Sequence, residues 1–331
     1  MHAICSKRPT PTRSAHKGGV NVNPVFLFSG QGAQKPGMGA SLMEVPEVAQ
    51  TLACASDVLG YDVADVMLNA PAEKLNDTRF AQPAMYALSV GIAHALEARG
   101  VRPSAVLGFS LGQISALAVS GMLSDADTFA FVAERARLMA EAAEQHPGVM
   151  SAFLKADEQS VTEVCQSCAE GQVLVPANFN APGQIVVSGE IAAVERAEAA
   201  WAAAGKRFSR LATSGAFHSP LMQSAAEGLD AYLANVTFAE PSVPLICNTD
   251  ASPLRAADAR EHLVRHLTHP VRFQQSVQAL VAQGETVFVE VGFGGVLTNL
   301  VKRIDRTAER ACVQDAESFE SFVARCATDE E

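Results

Sequence analysis

The chain shows two successive patterns of apolar and polar positions. Residues 25–28 and 103–107 are short apolar runs that end in glycine-containing turns. Residues 46–60, 82–100 and 125–145 carry apolar residues at helical spacing. Buried strands that alternate with amphipathic helices are typical of a parallel α/β sheet.

A different pattern occupies the middle of the chain. Residues 149–154, 173–177, 184–188 and 207–211 have the composition of strands, and helical stretches follow the first and the third of them. This β-α-β-β-α-β order is that of a ferredoxin-like unit. Further strands and helices after residue 212 return to the first pattern, so the sequence predicts an α/β core with a small inserted unit.

Length and composition narrow the class of protein. The chain has 331 residues, of which 48% are hydrophobic, and this is enough for about two domains. The net charge of -11 disfavours a nucleic-acid partner, because phosphate backbones are negative. No apolar stretch approaches the roughly 20 residues of a membrane-spanning helix. We therefore expect a soluble cytoplasmic protein that binds neither nucleic acid nor membrane.

Cysteine usage indicates a reducing compartment. The seven cysteines are scattered, and only Cys165 and Cys168 form a C-x-x-C pair. This pair lies in helix-like sequence without the second pair that a structural zinc site needs. We therefore expect no disulfide framework, no metal site and no cofactor.

The first 22 residues differ from the rest in charge. They carry Lys7, Arg8, Arg13 and Lys17, no acidic residue, and several Pro, Ser and Thr. They lack the apolar core of a secretory signal and a clear amphipathic face of a transit peptide. A disordered tail, an upstream start and a targeting segment stay open as interpretations, and we expect the fold to begin near Pro24.

A candidate nucleophile lies in the second glycine-containing turn. Residues 108–112 (GFSLG) follow an apolar run and precede a helix, as in the nucleophile elbow G-x-S-x-G around Ser110. The glycines let strand and helix approach closely, and free N–H groups at the helix N-terminus suit a developing oxyanion. A structural Gly-Ser turn is the alternative interpretation.

A serine nucleophile needs a base, and His218 has surroundings unlike those of the other histidines. It lies among small residues in segment 214–220 (SGAFHSP), where an imidazole can approach another loop. The histidines of segment 262–269 are interpreted as solvated or structural. No carboxylate between Ser110 and His218 is an obvious partner, so we expect a Ser–His dyad oriented by a backbone carbonyl. The alternative is a turn histidine that caps the next helix.

The first glycine-containing turn is a candidate anion site. Residues 30–34 (GQGAQ) place a glycine on each side of Gln31, which lets backbone N–H groups point at an anion. No Gly-Lys-Ser/Thr follows, so the turn is not a P-loop. A tight structural turn is equally compatible with these residues.

Six sequence segments are more specific as a set than any one of them is alone. They are residues 26–34 (FLFSGQGAQ), 108–112 (GFSLG), 135–139 (RARLM), 178–184 (NFNAPGQ), 215–219 (GAFHS) and 290–294 (EVGFG). Their sequences, order and spacing resemble those of the malonyl-CoA:acyl carrier protein transacylase family, over about residues 24–304. The resemblance implies an α/β-hydrolase-like core with a parallel sheet and an inserted ferredoxin-like subdomain.

The two patterns and the resemblance together divide the chain. Residues 1–22 are the predicted disordered basic tail, and residues 148–212 are the inserted ferredoxin-like subdomain. Residues 23–147 and 213–310 form the predicted catalytic core. Residues 311–331 are a C-terminal segment.

The resemblance also implies a role for each matching residue. Ser110 is the nucleophile that malonyl-CoA acylates, and His218 is its base and the acid that releases the CoA thiol. The backbone N–H groups of Gln31 and Leu111 form the oxyanion hole. The implied substrate-binding residues are Arg135, which holds the malonyl carboxylate, Gln82, Asn178, Asn180 and Phe217, which disfavours α-methyl-branched units. A guanidinium suits a carboxylate because it binds bidentately and stays charged when buried.

Three positions depart from the family pattern. Phe109 replaces the usual histidine before the serine, and Gln113 replaces a common glutamate. His266 replaces the glutamine whose backbone carbonyl orients the catalytic histidine. Phe109 and His266 are thus expected to support the dyad, and the additional imidazole is expected to shift the pH profile.

The implied reaction is ping-pong transfer of malonyl from malonyl-CoA to the phosphopantetheine thiol of acyl carrier protein, for fatty acid synthesis, by a monomer. A trans-acting acyltransferase for a polyketide assembly line, a thioesterase or acyl hydrolase with the same dyad, and a non-catalytic scaffold are the alternatives. Arg135 disfavours the hydrolase, and the intact set of Ser110, His218, Arg135 and Gln31 disfavours the scaffold. The docking surface for the carrier stays unassigned.

Overall fold

The computed structural model describes residues 23–328, and the predicted basic tail of residues 1–22 lies outside them. The strands are β1 (Val25–Phe28), β2 (Ala105–Gly108), β3 (Val149–Ala156), β4 (Leu174–Ala181), β5 (Gly183–Gly189), β6 (Phe208–Arg210), β7 (Leu245–Cys247), β8 (Ser252–Pro253), β9 (Val287–Val291) and β10 (Glu309–Val313). The α-helices are α1 (Pro46–Leu59), α2 (Val63–Asn69), α3 (Ala72–Asn76), α4 (Thr78–Ala98), α5 (Gly112–Val119), α6 (Asp125–Gln145), α7 (Glu158–Ala169), α8 (Ile191–Ala203), α9 (Gln223–Leu233), α10 (Ala259–Arg265), α11 (Phe273–Ala282), α12 (Val296–Ile304) and α13 (Ala316–Thr328).

The larger sheet has six strands in the order β10-β9-β1-β2-β7-β8. The strands from β10 to β7 are parallel, and β8 pairs with β7 in the antiparallel direction. Continuously apolar strands such as β1 fit a parallel sheet because both of its faces are buried. Phe26 and Phe28 belong to one core cluster, and Val25 and Leu27 belong to another.

Helices cover both faces of this sheet. α1, α4, α5 and α6 contribute to the larger core cluster, and α11 and α12 contribute to the smaller one. The carboxyl ends of β1 and β2 therefore meet at one edge, where ligands bind in open parallel sheets. Of the helices within residues 23–328, none is both long enough and apolar enough to cross a membrane.

The smaller sheet has four strands in the order β4-β5-β3-β6, and every neighbouring pair is antiparallel. Helices α7 and α8 join its strands, and their apolar sides share a core cluster with them. Phe153 stacks on Trp201 at the centre of this cluster, with 4.8 Å between ring centroids.

Contacts at β4 and α12 hold the two sheets together. Asn178 in β4 forms an isolated parallel bridge with Val271, which lies in the segment before α11. Arg303 in α12 donates a hydrogen bond to the carbonyl of Pro182 at 2.9 Å. The loop between β4 and β5 is therefore attached to the larger sheet.

The predicted start of α4 at residue 82 is four residues too late. The helix begins at Thr78, and the Asp77 side chain caps it by accepting from the Arg79 N–H. Pro83 favours a helix start in the sequence, because proline suits the first turn. In the structure Pro83 lies inside the helix, where burial against α1 and α6 outweighs its missing N–H.

Several elements were not predicted. α2, α3 and β8 are short, and β10 and α13 occupy the predicted C-terminal segment. β10 is an edge strand with polar positions at its start, so it lacks the apolar run of a central strand. It spans residue 310, so the predicted division at 310/311 falls inside this strand.

Candidate active site

Ser110 lies in the sharp turn between β2 and α5. Its φ angle is +51°, in the left-handed region that residues other than glycine rarely adopt. A Cβ atom on Gly112 would lie 1.9 Å from the carbonyl oxygen of Phe28, and one on Gly108 would lie 1.9 Å from the backbone of Gly112. Both glycines are therefore needed for this close approach, which is characteristic of a nucleophile elbow.

His218 lies opposite Ser110 and also has a left-handed backbone, with a φ of +58°. Its Nε2 atom is 2.8 Å from Ser110 Oγ. Its Nδ1 atom is 2.8 Å from the backbone carbonyl of His266. Because a carbonyl only accepts, Nδ1 must carry the proton, and Nε2 presents its lone pair to the serine hydroxyl as a general base does.

The surroundings of His218 favour its neutral form. The residue is 3% exposed, and burial together with the positive charge of Arg135 lowers its pKa to about 4. The hydrogen bond to the His266 carbonyl acts in the opposite direction but does not cancel this effect. At neutral pH the imidazole is therefore uncharged and able to accept a proton.

The side chain of His266 is buried beside the dyad. Its ring centroid lies 5.2 Å from that of His218, and neither of its ring nitrogens has a hydrogen-bond partner among the described residues. Burial holds the pKa of His266 well below its usual range. Of the two interpretations of this histidine, solvated or structural, the structure therefore favours the structural one, and the residue contributes its backbone carbonyl to the dyad.

Arg135 in α6 is a buried cation next to Ser110. Its Nη1 donates to Gln82 Oε1 at 2.7 Å, and its Nη2 lies 3.5 Å from Ser110 Oγ. Within residues 23–328 it forms no ion pair, and its Nε has no hydrogen-bond partner. Burial lowers the pKa of Arg135 to about 9, which leaves it charged at neutral pH. A buried cation without a counter-ion is unfavourable, so the site is suited to an anionic ligand.

Arg137, two residues further along α6, is a different kind of arginine. Its side chain is 47% exposed and forms ion pairs with Glu134 at 2.7 Å and Glu141 at 2.6 Å. The helix therefore directs the two arginines to different faces. Only Arg135 faces the dyad.

Gln82 connects the arginine to the loop after β1. Its Oε1 accepts from Arg135, and its Nε2 donates to Gln31 Oε1 at 3.3 Å. Gln31 Nε2 in turn donates to Thr78 Oγ1 at 3.1 Å, and Thr78 Oγ1 lies 2.9 Å from Ser214 Oγ in the loop that leads to the histidine. This chain of hydrogen bonds joins helices α4 and α6 to two loops, the one after β1 and the one that leads to His218.

Gln31 and Leu111 carry the N–H groups predicted to bind an oxyanion. The loops that hold them are in contact, since a Cβ atom on Gly30 would lie 2.7 Å from the carbonyl oxygen of Phe109. In the described part of the chain, neither the Gln31 N–H nor the Leu111 N–H donates a hydrogen bond. Both groups are thus available as donors beside the elbow.

The other four predicted residues are buried or partly buried. Phe217 belongs to the larger core cluster, and Phe109 packs edge-on against Phe273 with 5.6 Å between ring centroids. Asn178 and Asn180 are buried in β4, and across residues 23–328 no hydrogen bond joins either side chain to the dyad. Their strand contacts the larger unit through the bridge between Asn178 and Val271 and through packing against α11 and α12.

Sequence reasoning missed Asn248, which supports the elbow. Its Nδ2 donates to the carbonyl of Gly108 at 2.6 Å, and its N–H donates to Gln113 Oε1 at 3.1 Å. Asn248 directly follows β7, at the same sheet edge as Ser110. A polar residue at the carboxyl end of a buried strand was the signal that pointed to it.

Glu290 is a second supporting residue that local sequence did not assign. It is fully buried in β9 and accepts from Ser29 Oγ at 2.5 Å, from the Thr298 N–H at 2.8 Å and from Thr298 Oγ1 at 2.9 Å. The carboxylate thus joins the end of β1 to the first turn of α12.

A serine, a neutral base, two available N–H donors and an unpaired cation are the groups needed to transfer a negatively charged acyl group through an ester. The fold and the site together have the features of an acyltransferase. The sequence profile of the acyl transferase domain matches residues 25–322, and the chain belongs to this family.

Proteins of known activity and structure are similar to the chain over most of its length. The malonyl CoA-acyl carrier protein transacylase of Salmonella typhimurium is 42% identical over 294 residues, which are 88% of this chain and 95% of that protein. The crystal structure of the malonyl-CoA:acyl carrier protein transacylase of Xanthomonas oryzae is 39% identical, with a TM-score of 0.89 over 92% of this chain and 98% of that one. A malonyl-transacylase solved in complex with its type II PKS acyl-carrier protein is 40% identical, with a TM-score of 0.88 over 91% and 99% of the two chains.

Proposed function

We propose that the protein transfers malonyl from malonyl-CoA to the phosphopantetheine thiol of acyl carrier protein, supplying extender units for fatty acid synthesis. The observation that carries this proposal is the unpaired guanidinium of Arg135, 3.5 Å from Ser110 Oγ. A malonyl group on Ser110 has its carboxylate one methylene away from the ester carbonyl, within reach of this cation. The activity of the relatives named above supports the same substrate.

In the first half-reaction, His218 Nε2 takes the proton of Ser110 Oγ while this oxygen attacks the thioester carbonyl of malonyl-CoA. The N–H groups of Gln31 and Leu111 donate to the oxyanion that forms. The C–S bond then breaks, and the imidazolium returns its proton to the sulfur, so CoA leaves as a thiol.

The second half-reaction runs in the opposite sense with a new thiol. The phosphopantetheine thiol gives its proton to His218 and attacks the malonyl-serine ester. The C–O bond to Ser110 breaks, and the serine oxygen recovers its proton from the imidazolium. Acyl transfer between two thiols through a serine ester requires no metal and no redox cofactor.

The substrate carboxylate also acts on the base. The positive charge of Arg135 lowers the pKa of His218 in the free protein. A malonyl carboxylate paired with Arg135 offsets that charge, so His218 becomes a stronger base with malonyl-CoA bound than with acetyl-CoA bound. The same ion pair thus contributes to binding and to proton transfer.

We extend the proposal to the architecture. The six-stranded sheet with its elbow is an α/β-hydrolase-like core, and residues 148–212 are an inserted ferredoxin-like subdomain. The strand order β4-β5-β3-β6 with two joining helices supports this assignment, because it is the order of a β-α-β-β-α-β unit. We also propose that the protein acts as a cytoplasmic monomer.

The proposed reaction is tested by following labelled malonyl. Incubation with labelled malonyl-CoA is expected to label the protein, and added holo acyl carrier protein is expected to take up the label. The Ser110→Ala variant should carry no label. The Ser115→Ala variant, changed in the helix α5 that follows the elbow, serves as a control and should be labelled. Rapid release of free malonate in place of transfer would instead identify a hydrolase, and unlabelled wild-type protein would leave only the scaffold.

A polyketide carrier is the second candidate partner. The 40% identity to a malonyl-transacylase bound to a type II PKS acyl-carrier protein favours this alternative. Parallel transfer assays with carriers from the two pathways distinguish them by the ratio of kcat/KM. A higher value for the polyketide carrier would assign the protein to that pathway with the same chemistry.

A further inference from the structure

Three potential metal ligands meet outside the candidate active site. Cys247 ends β7, Asp250 lies in the following turn, and His262 lies in α10. One ligand atom from each residue lies within 4.8 Å of the other two. We name these three residues the β7–α10 cluster.

The two distances from His262 to its neighbours in the β7–α10 cluster match those of a tetrahedral zinc site. Cys247 Sγ is 3.5 Å from His262 Nδ1, and Asp250 Oδ2 is also 3.5 Å from His262 Nδ1. Tetrahedral zinc with ordinary bond lengths separates a sulfur from a nitrogen ligand by about 3.5 Å and a nitrogen from an oxygen ligand by about 3.3 Å. His262 is therefore placed to share such an ion with either neighbour, and the ligand atoms of Cys247 and Asp250 lie within 4.8 Å of each other.

The single hydrogen bond that His262 Nδ1 can form does not serve both of its neighbours in the cluster. In a neutral imidazole, His262 Nδ1 either donates one proton or accepts one, so it cannot serve both Cys247 and Asp250. The separation of 3.5 Å from Asp250 Oδ2 also exceeds the range of about 2.7–3.2 Å for a good hydrogen bond. A cation that binds the Nδ1 lone pair, the thiolate and the carboxylate satisfies all three.

The ligands are held in place by their surroundings. Asp250 Oδ1 accepts from the Ser252 N–H at 3.1 Å and from Ser252 Oγ at 2.8 Å, which leaves Oδ2 directed at His262. Ala251 has a left-handed backbone with a φ of +61°, and its N–H donates to the carbonyl of Cys247 at 2.8 Å. This turn brings the carboxylate back over the end of β7. Supporting hydrogen bonds of this kind orient metal ligands in known sites.

We propose that Cys247, Asp250 and His262 bind a borderline-soft divalent cation of the zinc class, with water as the fourth ligand. A thiolate and an imidazole select such ions over Mg²⁺ and Ca²⁺, which prefer oxygen ligands. Cys247 is 2% exposed, while the side chains of Asp250 and His262 are 36% and 17% exposed, so the ion has access from solvent. On binding, the thiol proton of Cys247 passes to solvent. The sequence-based expectation of no metal site considered only the C-x-x-C pair.

The β7–α10 cluster lies next to Asn248 and His266, the residues that hold the elbow and His218 in place. Asn248, which holds the elbow, directly follows Cys247. The carbonyl of His262 accepts from the N–H of His266, whose own carbonyl holds His218. A bound ion would therefore join β7 to α10 and raise the stability of the folded protein. The proposal does not depend on the acyl group that the enzyme transfers.

Titration of the reduced, tag-free, full-length protein with Co²⁺ tests the proposal. A 1:1 complex is expected to show a thiolate-to-cobalt charge-transfer band and the visible bands of tetrahedral cobalt, and Zn²⁺ should abolish both. Cys247→Ser should remove the charge-transfer band, and His262→Gln should weaken binding about tenfold or more. Zn²⁺ should raise the Tm of the wild type and leave that of Cys247→Ser unchanged.

Cys168→Ser and Cys5→Ser are the control variants, because these cysteines lie in the C-x-x-C pair and in the N-terminal tail. Both are expected to keep the spectrum. Loss of the band in either control, with its retention in Cys247→Ser, would place the ion elsewhere and overturn the proposal. A wild-type protein without a thiolate band would overturn it as well. Circular dichroism of each variant separates loss of ligand from loss of fold.

Discussion

The units built on the two sheets differ in where strained backbone and charged side chains occur. At the carboxyl edge of the six-stranded sheet, Ser110 and His218 have left-handed backbones, and Arg135 is buried without an anionic partner among the described residues. In the smaller unit, which consists of the four-stranded sheet with α7 and α8, left-handed residues occur at a bulge, Lys155, and at a helix end, Glu170, where this conformation is common.

Charges in the smaller unit are also paired in the ordinary way. Arg210 forms an ion pair with Glu198 at 2.6 Å at the rim of the sheet, and the centre consists of apolar side chains around Phe153 and Trp201. Backbone strain and an unpaired buried cation therefore occur together in the region that we propose as the active site. This is expected of a site in which a bound substrate supplies the missing negative charge.

The largest expected difference between the regions is in their tolerance of an added methyl group. Gly112→Ala places a Cβ 1.9 Å from the Phe28 carbonyl, so β1 or α5 must move, and we expect a loss of about 4 kcal/mol or failure to fold. Gly171→Ala, in the smaller unit, meets no atom within 4 Å and only strains a φ of +85°, at about 1–2 kcal/mol. Urea denaturation measures both, and equal losses would contradict the close packing at the elbow.

A core substitution in the smaller sheet should reduce stability but not catalysis. Phe153 is fully buried against Trp201, so Phe153→Leu is expected to cost about 1–3 kcal/mol. No reacting group lies in that cluster, so kcat of the folded fraction should equal that of the wild type. A large fall in kcat without a fall in stability would show that this sheet takes part in the reaction.

The charge state of His218 provides a third test. In the proposed mechanism its neutral form is the base, and its pKa is lowered to about 4, so activity should persist below pH 6 and fall only as the pH approaches 4. NMR titration of the ring nitrogens measures this pKa directly. Arg135→Met removes the positive charge that lowers it, so the pKa should rise in this variant. An unchanged pKa would show that burial alone sets the value.

The smallest expected effect is that of His266→Gln. The imidazole stays neutral because burial holds its pKa well below the usual range, and the backbone carbonyl that binds His218 is retained. We therefore expect kcat/KM within a few-fold of the wild type and an unchanged acid limb. A shift of the acid side of the pH profile would support the sequence-based expectation that the histidine at this position changes the profile.

The sequence predicted those elements that a short apolar run or a capped amphipathic segment specifies. The bounds of β1 and α6 agree with the predicted ones, because β1 is a short apolar run and α6 is an amphipathic segment capped by Ser124. Ser110 and His218 stood out through their glycine-rich and small-residue surroundings. The edge strand β10 has no such pattern and was not found.

Roles that depend on tertiary packing were not accessible in this way. Arg135 and Arg137 are two residues apart in similar surroundings, and only the resemblance to a family separated them. The burial that distinguishes them arises when α6 packs against α4 and the elbow. Asn248 and Thr78 likewise act through partners more than 100 residues away in the chain.

The central claim is that the unpaired charge of Arg135 receives the carboxylate of the substrate beside Ser110. The direct test is the ratio of kcat/KM for malonyl-CoA to that for acetyl-CoA in the wild type and in Arg135→Ala, with the exposed Arg137→Ala as a matched control. We expect Arg135→Ala to lower this ratio about 100-fold or more and Arg137→Ala to leave it unchanged. An unchanged preference for malonyl-CoA in Arg135→Ala would contradict the central claim.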